Sequence, residues 1–467
     1  MQKQDRSERR LSCCVLPAHV TSSDMTAIAP VVIPPPPPLV PLPLVHDSAP
    51  VAGVSLSEVL AAMSRALDMT EGEEAGHTVR TCIIGMRIAE ELDLSAFDRV
   101  ALYGAMLLKD AGCSGNSQVV ADVLKVSEPP RRRRLSLRRR AASAIPSRQQ
   151  LSRGERGERI ALRLGFSTAT AEAIRGIDEH WDGCGRPDSL IGHEIPLFSR
   201  IILLAQTVDA FLSRHGLPAA MRVARERSGA WFDPSLVRIV RSWREEGGWW
   251  ARLHSPDATA IALSLEPQQH TRYVDDKGLD EVARAFAEII DSKSPFTYQH
   301  STNVAKYARA VAYELGFARD DVRRLNRAAL LHDVGKLGIS SRILDKAGPL
   351  TPEERAEMQR HPVFTWEILQ GVSAFAGFAR TASLHHERLD GSGYPWGVRA
   401  EDLDVPARIL CVADMYEALT ANRPYRAGLG RETALKIIRQ GSGKHVCPVA
   451  AEALTEATRH LKVSLDG

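Results

Sequence analysis

Five histidines and two aspartates in the C-terminal half are the residues with the clearest potential for chemistry. They are His300, His332, Asp333, His361, His385, His386 and Asp414. Imidazole and carboxylate groups without thiolates suit iron, manganese or zinc better than copper(I) or an iron–sulfur cluster. The set therefore predicts a site for divalent metal.

Two pairs of adjacent residues in this set indicate more than one metal ion. Neighbours on a helix diverge by roughly 100°, so His332 can offer a nitrogen to one metal while Asp333 reaches between two. His385 and His386 can likewise serve two positions. Two metals about 3.5–4 Å apart can clamp a hydroxide and polarise a phosphoryl group.

Basic residues accompany the set. Lys336 follows Asp333 by three residues and shares its helix face, where an ammonium can stabilise charge on a phosphoryl oxygen. Arg423 and Arg426 are close together in sequence, and guanidinium groups match the geometry of phosphate. Ordinary ion pairing is the alternative reading for all three residues.

Three strings resemble the motifs of the HD-GYP family of metal-dependent phosphodiesterases. They are HDVGK at 332–336, HHERLDGSGYP at 385–395 and ARILCVADMYEALTANRPYR at 407–426. The resemblance covers about residues 276–460. It implies an α-helical HD fold, a bi- or trinuclear metal centre and hydrolysis of the bacterial messenger cyclic di-GMP to pGpG, GMP or both.

Carried over by position, the resemblance implies a role for each matching residue. The implied metal ligands are His300, His332, Asp333, His361, His385, His386 and Asp414. Asp333 and Lys336 become the catalytic residues, and the substrate-binding set is Asp390, Gly393, Tyr394, Pro395, Arg423 and Arg426. The implied cofactor is two divalent metal ions, iron or manganese first, with zinc or magnesium as alternatives.

Two positions depart from the family pattern. Members with three metals have a glutamate four residues before the first histidine, where this chain has Phe296. This difference favours two metals. The family's late FDP string is replaced by Val446-Cys447-Pro448, a change that we expect to affect packing rather than chemistry.

The sequence pattern indicates two tandem copies of one domain. LLKDAG at 107–112 matches LLHDVG at 330–335, and these are called the LL strings. DGCGRP at 182–187 matches DGSGYP at 390–395, and these are called the DG strings. The spacing agrees, because His77 and His300 each lie 33 residues before the aspartate of their LL string. Such self-similarity predicts a repeated domain.

The predicted boundaries follow from the repeat. We expect a disordered proline-rich tail at 1–55, a first copy at 56–250, a linker at 251–275 and a second, catalytic copy at 276–467. Hereafter these two domains are called the first copy and the second copy.

The first copy lacks most of the metal-binding set. Lys109 replaces His332 of the second copy. Ile177 and Asp178 replace His385 and His386. Gln206 replaces Asp414, and Arg186 replaces Tyr394. Lysine brings a positive charge to a position where a metal should bind, and isoleucine offers no lone pair. The first copy should therefore bind no metal pair and serve folding, dimerisation, sensing or regulation.

Apolar periodicity indicates an all-α fold. Val282, Phe286, Ile289 and Ile290 share one helix face. Thr351-Pro352-Glu353-Glu354 has the pattern of a capping box with proline at the first helical position. Residues 403–419 contain few helix breakers after Pro406.

Two segments stand outside the repeat. Residues 27–45 are uncharged but hold eight prolines, which cannot form a membrane-spanning helix because proline removes amide donors. They are expected to form a polyproline II tail, and docking to a proline-binding partner is the alternative.

An insertion near 129–150 carries seven arginines within 129–140. The insertion is expected to be solvated and flexible. The alternative is a basic patch that binds nucleic acid, an anionic lipid or another protein.

Composition narrows the class of protein. The chain is 44% hydrophobic and 25% charged with a net charge of +3, which excludes a wholly disordered chain and a polytopic membrane protein. Seven cysteines without a CxxC pair argue against a disulfide framework and favour the cytoplasm. A nucleic-acid partner is not expected, whereas a protein partner on the first copy or the tail, and a homodimer, stay open.

Three functions compete. The leading hypothesis is a cyclic di-GMP phosphodiesterase that uses a metal-bridging hydroxide, with an inactive tandem domain. The second keeps the site but changes the substrate to another cyclic dinucleotide, a nucleotide or a phosphoester. The third is a signalling adaptor that binds without hydrolysis, which the complete ligand set disfavours.

The repeat generates a first test. Replacing His77 or Asp110 by alanine should leave hydrolysis largely intact, because the first copy lacks the ligand set. The measurement is phosphodiesterase activity of the full chain beside the His332→Ala variant. A loss in the first copy comparable to that of His332→Ala would show the division of labour to be wrong.

Overall fold

The structure is a computed structural model that describes residues 54–71, 74–113, 152–294, 299–346, 348–422 and 426–460. The predicted tail up to residue 53, the arginine-rich insertion, Phe296 and Arg423 lie outside the described residues.

The first copy is built from helices. They are α1 Leu56–Glu71, α2 His77–Glu91, α3 Ala96–Leu108, α4 Arg153–Arg163, α5 Thr168–Arg175, α6 Leu197–His215, α7 Leu217–Glu226, α8 Pro234–Ser242 and α9 Gly247–Arg252. Helix α10, Ala258–Ser264, lies within the predicted linker and packs against α2.

The second copy follows the same plan. Its helices are α11 Asp276–Ser292, α12 His300–Glu314, α13 Arg319–Leu331, α14 Ser341–Leu344, α15 Pro352–Met358, α16 His361–Gln370, α17 Ser373–Ser383, α18 Val405–Thr420, α19 Arg431–Gln440 and α20 Pro448–His460. The 3₁₀ helices of the described residues are Gly192–Glu194, Trp243–Glu245, Gln268–His270, Val334–Gly338 and Ala400–Asp402. Val334–Gly338 is called the 334–338 turn below.

The all-α prediction is confirmed. In the part of the chain that the structure describes, β pairing is limited to isolated bridges such as Asp182 with Ile191 and Asp390 with Arg399. None of the described helices is long and apolar enough to cross a membrane.

Local sequence explains where the helices of the second copy begin. Thr351 and Glu354 form the predicted capping box, and α15 starts at Pro352. The Asp404 carboxylate accepts the amide of Ala407 at the start of α18. Helix α11 buries Val282, Phe286 and Ile289 as its periodicity predicts.

The buried apolar residues of both copies form one continuous core, and all described residues belong to one compact unit. Contacts between the copies are reciprocal, because α1 packs against the 334–338 turn and α16 while α11 packs against α4. Arg163 pairs with Glu288 at 2.7 Å. The Arg272 guanidinium donates to the carbonyls of Leu164 and Gly165, each at 3.1 Å.

Each copy brings a helix start close to the loop that follows its LL string. A Cβ placed on Gly335 would lie 1.9 Å from the His361 carbonyl oxygen, and one on Gly112 would lie 2.0 Å from that of Arg153. Backbone atoms cannot give way as a flexible side chain can. Glycine is therefore required at both positions, and the match places Arg153 where the second copy has His361.

This close approach predicts a stability difference. Gly335→Ala should lower the free energy of unfolding by about 1–3 kcal/mol, because the added methyl overpacks a backbone contact. Gly377→Ala is the control, since no heavy atom lies within 4 Å of its added Cβ on α17 and alanine favours a helix by up to about 1 kcal/mol. Denaturant unfolding of the full chain measures both, and equal stabilities would contradict the packing.

Candidate metal centre

The Asp333 carboxylate lies at the centre of the predicted ligand set, between two groups of side chains. Its Oδ2 faces His300 and His332, which also approach Asp414, and its Oδ1 faces His361 and His385, with His386 beside them. His332 and Asp333 directly follow α13, His385 and His386 follow the end of α17, and α12 and α16 begin at His300 and His361.

The first group converges on one point. The Nε2 of His300 lies 3.3 Å from Asp333 Oδ2 and 3.4 Å from Asp414 Oδ1. The Nε2 of His332 lies 3.4 Å from Asp333 Oδ2 and 3.9 Å from Asp414 Oδ1. The two Nε2 atoms are 3.3 Å apart. Two imidazoles and two carboxylates thus surround one position.

The second group meets the other oxygen of the same carboxylate. His361 Nε2 lies 3.4 Å and His385 Nε2 3.6 Å from Asp333 Oδ1, and these two nitrogens are 3.2 Å apart. His386 is close enough to share a cation with them, and its Nδ1 lies 3.9 Å from Asp414 Oδ2. Asp333 and Asp414 therefore connect the two groups.

Hydrogen bonds behind the rings orient the histidines. The Nδ1 atoms of His332, His361 and His385 donate to the carbonyls of Ala329, Met358 and Ala382 at 2.7–2.8 Å. A carbonyl can only accept, so each Nδ1 carries a proton, and a ring in its neutral form directs its Nε2 lone pair inward. Outer partners of this kind fix metal-ligating imidazoles.

A carboxylate orients the fourth ring. Glu417 accepts a hydrogen bond of 2.6 Å from His300 Nδ1 and is itself buried. Burial lowers the pKa of His300, but hydrogen bonds to Asp333 and Glu417 raise it overall to about 10. A metal ion that binds His300 must displace the additional proton of the charged ring. The metal affinity of the group around Asp333 Oδ2 therefore depends on pH.

The remaining charges favour cation binding. Burial opposes ionisation of Asp333, but the charges of His332 and Lys336 and the hydrogen bond from His300 hold the pKa of its carboxyl well below the usual range. Burial lowers the pKa of His361 and His386 well below that of free histidine. Asp333 therefore stays ionised while His361 and His386 stay neutral, the protonation states that metal binding needs.

One buried atom supports metal binding directly. Asp333 Oδ1 is inaccessible to solvent and accepts no hydrogen bond from any residue that the structure describes. An unpaired buried carboxylate oxygen is costly, and a cation between it and the lone pairs of His361 and His385 removes that cost. The unpaired Oδ1 therefore supports a divalent metal beside His361 and His385, and the nitrogen and oxygen donors around Oδ2 fit a second.

The other predicted residues surround this centre. The Lys336 ammonium bonds to Asp333 Oδ2 and is about one-fifth exposed. The Tyr394 ring stacks on His386, with 4.7 Å between centroids. Gly393 and Pro395 flank Tyr394, and a Cβ on Gly393 would lie 2.5 Å from the Glu387 Cα. Lysine and tyrosine thus border the metal ligands.

Asp390 and Arg426 make contacts away from the ligands. Asp390 accepts the amide and hydroxyl of Ser392 within its own loop, and these bonds lower its pKa. Its Oδ2 lies 3.5 Å from His445 Nε2. The Arg426 guanidinium donates to the Ala418 carbonyl at 2.8 Å. A substrate role for either residue stays a prediction.

The first copy neutralises the matching carboxylate with side chains. Lys109 and Arg153 both bond to Asp110, and all of these groups are largely buried. Arg153 also lies 3.5 Å from Asp178, which stands for His386. Two side-chain cations thus stand where two ligating histidines stand in the second copy.

The outer supports are retained in both copies. His77 Nδ1 donates to Asp209 at 2.7 Å, as His300 does to Glu417. Asp68 accepts the amide of Thr78, as Asp291 accepts that of Ser301. Burial raises the pKa of Asp291 to about 6.

A buried glutamate also holds the loop after the histidine pair in each copy. Glu387 accepts the amides of Trp396 and Val398, and Glu179 accepts those of Asp188 and Leu190.

Sequence reasoning missed Glu417, Asp291, Glu387 and Arg153. Glu179 and Glu387 occupy the same place before each DG string, and Asp68 and Asp291 lie nine residues before His77 and His300. Extending the repeat from the matched strings would have found the acids. Arg153 was hidden because the insertion shifts the alignment upstream of the first DG string.

Comparison with known proteins agrees with this geometry. The HD domain family matches residues 134–236 and 284–448, more than half of the chain. The chain belongs to the HD domain family. Both copies contribute to the match, although only the second carries the complete ligand set.

Curated HD domain relatives are phosphodiesterases. A 3′3′-cGAMP-specific phosphodiesterase 3 from Vibrio cholerae is 38% identical over 433 residues, covering 86% of this chain and 94% of the relative. The cyclic di-GMP phosphodiesterase response regulator RpfG from Xanthomonas campestris is 34% identical over 215 residues, covering 45% of this chain and 57% of the relative.

A solved structure extends the likeness to the fold. The crystal structure of V-cGAP3, a cyclic GMP-AMP phosphodiesterase of V. cholerae, aligns with 87% of this chain and 98% of its own. The TM-score is 0.61 at 35% identity. The HD-GYP resemblance and the prediction of a phosphoric diester hydrolase are confirmed.

The outer shell predicts a metal-affinity effect. Glu417→Gln should weaken Mn²⁺ binding about 10- to 100-fold, because His300 loses its orienting carboxylate. Asp209→Asn is the matched control, since it removes the same contact from the first copy. Calorimetric titration of the metal-free chain measures both, with circular dichroism to verify folding. Unchanged affinity in Glu417→Gln, or an equal loss in Asp209→Asn, would contradict the assignment.

Proposed function

We propose that the second copy hydrolyses a 3′–5′ phosphodiester bond of a cyclic dinucleotide, with 3′3′-cGAMP as the preferred substrate. The observation that carries the proposal is the Asp333 carboxylate, which faces one group of metal ligands with each oxygen. Two-metal sites of this kind suit phosphoester hydrolysis.

The proposed metal ligands are the seven residues of the two groups. Two divalent cations held there would supply Lewis acidity toward the phosphodiester and would lower the pKa of water. Carboxylates and imidazoles favour iron, manganese or zinc. His300, His332, Asp333 and Asp414 would hold one ion, and His361, His385 and His386 would hold the other together with Asp333.

The chain's own residues are proposed to position the substrate. The Lys336 ammonium borders Asp333 and is partly exposed, so it can neutralise a phosphoryl oxygen. The Tyr394 ring stacks against that of His386 at an angle of 30° and offers an aromatic face beside the proposed ligands, where it can stack on a base or ribose.

The choice of 3′3′-cGAMP rests on coverage of both copies. Among the relatives named above, the one aligned along 86% of the chain is named for 3′3′-cGAMP. The cyclic di-GMP phosphodiesterases of X. campestris and of Thermotoga maritima match 45% and 39% of the chain. Cyclic di-GMP is therefore the second candidate, favoured by the HDVGK and DGSGYP strings of the second copy.

A substrate panel tests the proposal. The full chain, loaded with Mn²⁺ or Fe²⁺, should linearise 3′3′-cGAMP faster than cyclic di-GMP, and chelation should abolish turnover. His385→Ala should lower the rate at least ~100-fold because it removes a ligand. Ile177→Val is the matched control in the first copy and should retain activity. The readout is chromatographic separation of cyclic and linear dinucleotides.

Each other outcome overturns part of the proposal. Faster cyclic di-GMP hydrolysis would replace the preferred substrate. Turnover of simple phosphodiesters alone would exclude cyclic dinucleotides. Tight binding of the dinucleotide without hydrolysis by the metal-loaded chain would favour a signalling adaptor.

A further inference from the structure

The 334–338 turn begins directly after Asp333 and contains Lys336. The position of the turn therefore determines where the Asp333 carboxylate and the Lys336 ammonium point. The turn is short and 3₁₀-helical, a geometry with poorer backbone hydrogen bonds than an α-helix. It therefore depends on neighbouring elements to hold it.

Two supports come from the second copy. The Thr365 hydroxyl accepts the Gly335 amide at 3.1 Å and donates to the His332 carbonyl at 2.8 Å. Lys293, buried just after α11, donates its ammonium to the Leu337 carbonyl. These contacts fix the beginning and the middle of the turn.

The end of the turn is covered by the first copy. Helix α1 packs against the turn and α16. A Cβ built on Gly338 would lie 2.2 Å from Met69 Cε and 3.0 Å from the Phe364 ring. Phe364 lies one helical turn after His361, and the Arg360 guanidinium covers its ring at 4.7 Å. Met69 therefore fills the space beside Gly338 and Phe364.

We infer that Met69 is a positioning residue for the active site of the second copy, and that the first copy supplies through α1 one wall of the 334–338 turn. The inference rests on the proposed function only for its activity readout. Lys109 and Arg153 make the first copy unfit for a metal pair, but α1 still contacts the segment that carries Lys336. Loss of the methionine side chain should let the turn shift.

The first test compares methionine variants of the full chain. Met69→Ala should lower kcat about tenfold with little change in KM, because small displacements of positioned groups cost rate. Met69→Leu should restore most of the rate, since leucine is close in volume. Met106→Ala is the matched control, because Met106 is fully buried on α3 among helices of the first copy.

A second readout does not require catalysis. In the metal-free chain, Met69→Ala should increase hydrogen–deuterium exchange of peptides covering residues 332–340 at least about threefold. Met106→Ala should leave those peptides unchanged and affect exchange within the first copy. If no variant hydrolyses a cyclic dinucleotide, the proposed function fails while exchange still tests the contact.

A complementary pair gives the sharpest test. Gly338→Ala places a methyl group against the Met69 side chain and should lower kcat alone. Combining it with Met69→Ala should recover part of the lost rate, because the new methyl occupies the vacated space. The inference is overturned if Met69→Ala matches Met106→Ala in kcat and exchange, or if the double variant is only additive.

Discussion

A buried carboxylate within the LLKDAG and LLHDVG strings is the constraint on which both copies depend. Asp333 and Asp110 are each about 1% exposed, and an ionised carboxylate in such a place must be compensated. The second copy surrounds Asp333 with imidazoles and leaves one oxygen without a hydrogen bond from the described residues. The first copy places Lys109 and Arg153 against Asp110. Asp333 is thus surrounded by imidazoles that could hold metal, whereas Asp110 is compensated by ion pairs with Lys109 and Arg153.

The framework behind the ligands is shared even where the ligands are not. In both copies a carboxylate, Glu417 or Asp209, accepts a hydrogen bond from the first histidine. In both copies a glutamate also accepts hydrogen bonds from backbone amides of the loop that contains the DG string. These groups hold backbone segments in place and do not themselves require a metal. The first copy thus keeps this framework without the predicted metal ligands, and its α1 packs against the second copy.

Sequence reasoning identified residues by chemical type but not by their outer partners. The ligand set was visible because histidines and aspartates recur at spacings that a helical fold can bring together. Glu417 was not, because a buried acid and a solvated acid look alike in a sequence. Arg153 was missed because 72 residues separate Asp110 from Asp182, against 57 in the second copy. The reciprocal contacts of α1 and α11 depend on how the copies pack, which periodicity does not encode.

The most direct measurement is a crystal structure of the full chain grown with Mn²⁺, with anomalous difference maps. We expect two peaks, one on each side of the Asp333 carboxylate, and none beside Lys109 and Arg153. A single peak, a peak at Asp110, or ordered metal away from Asp333 would contradict the central claim that one carboxylate organises a metal pair in the second copy alone.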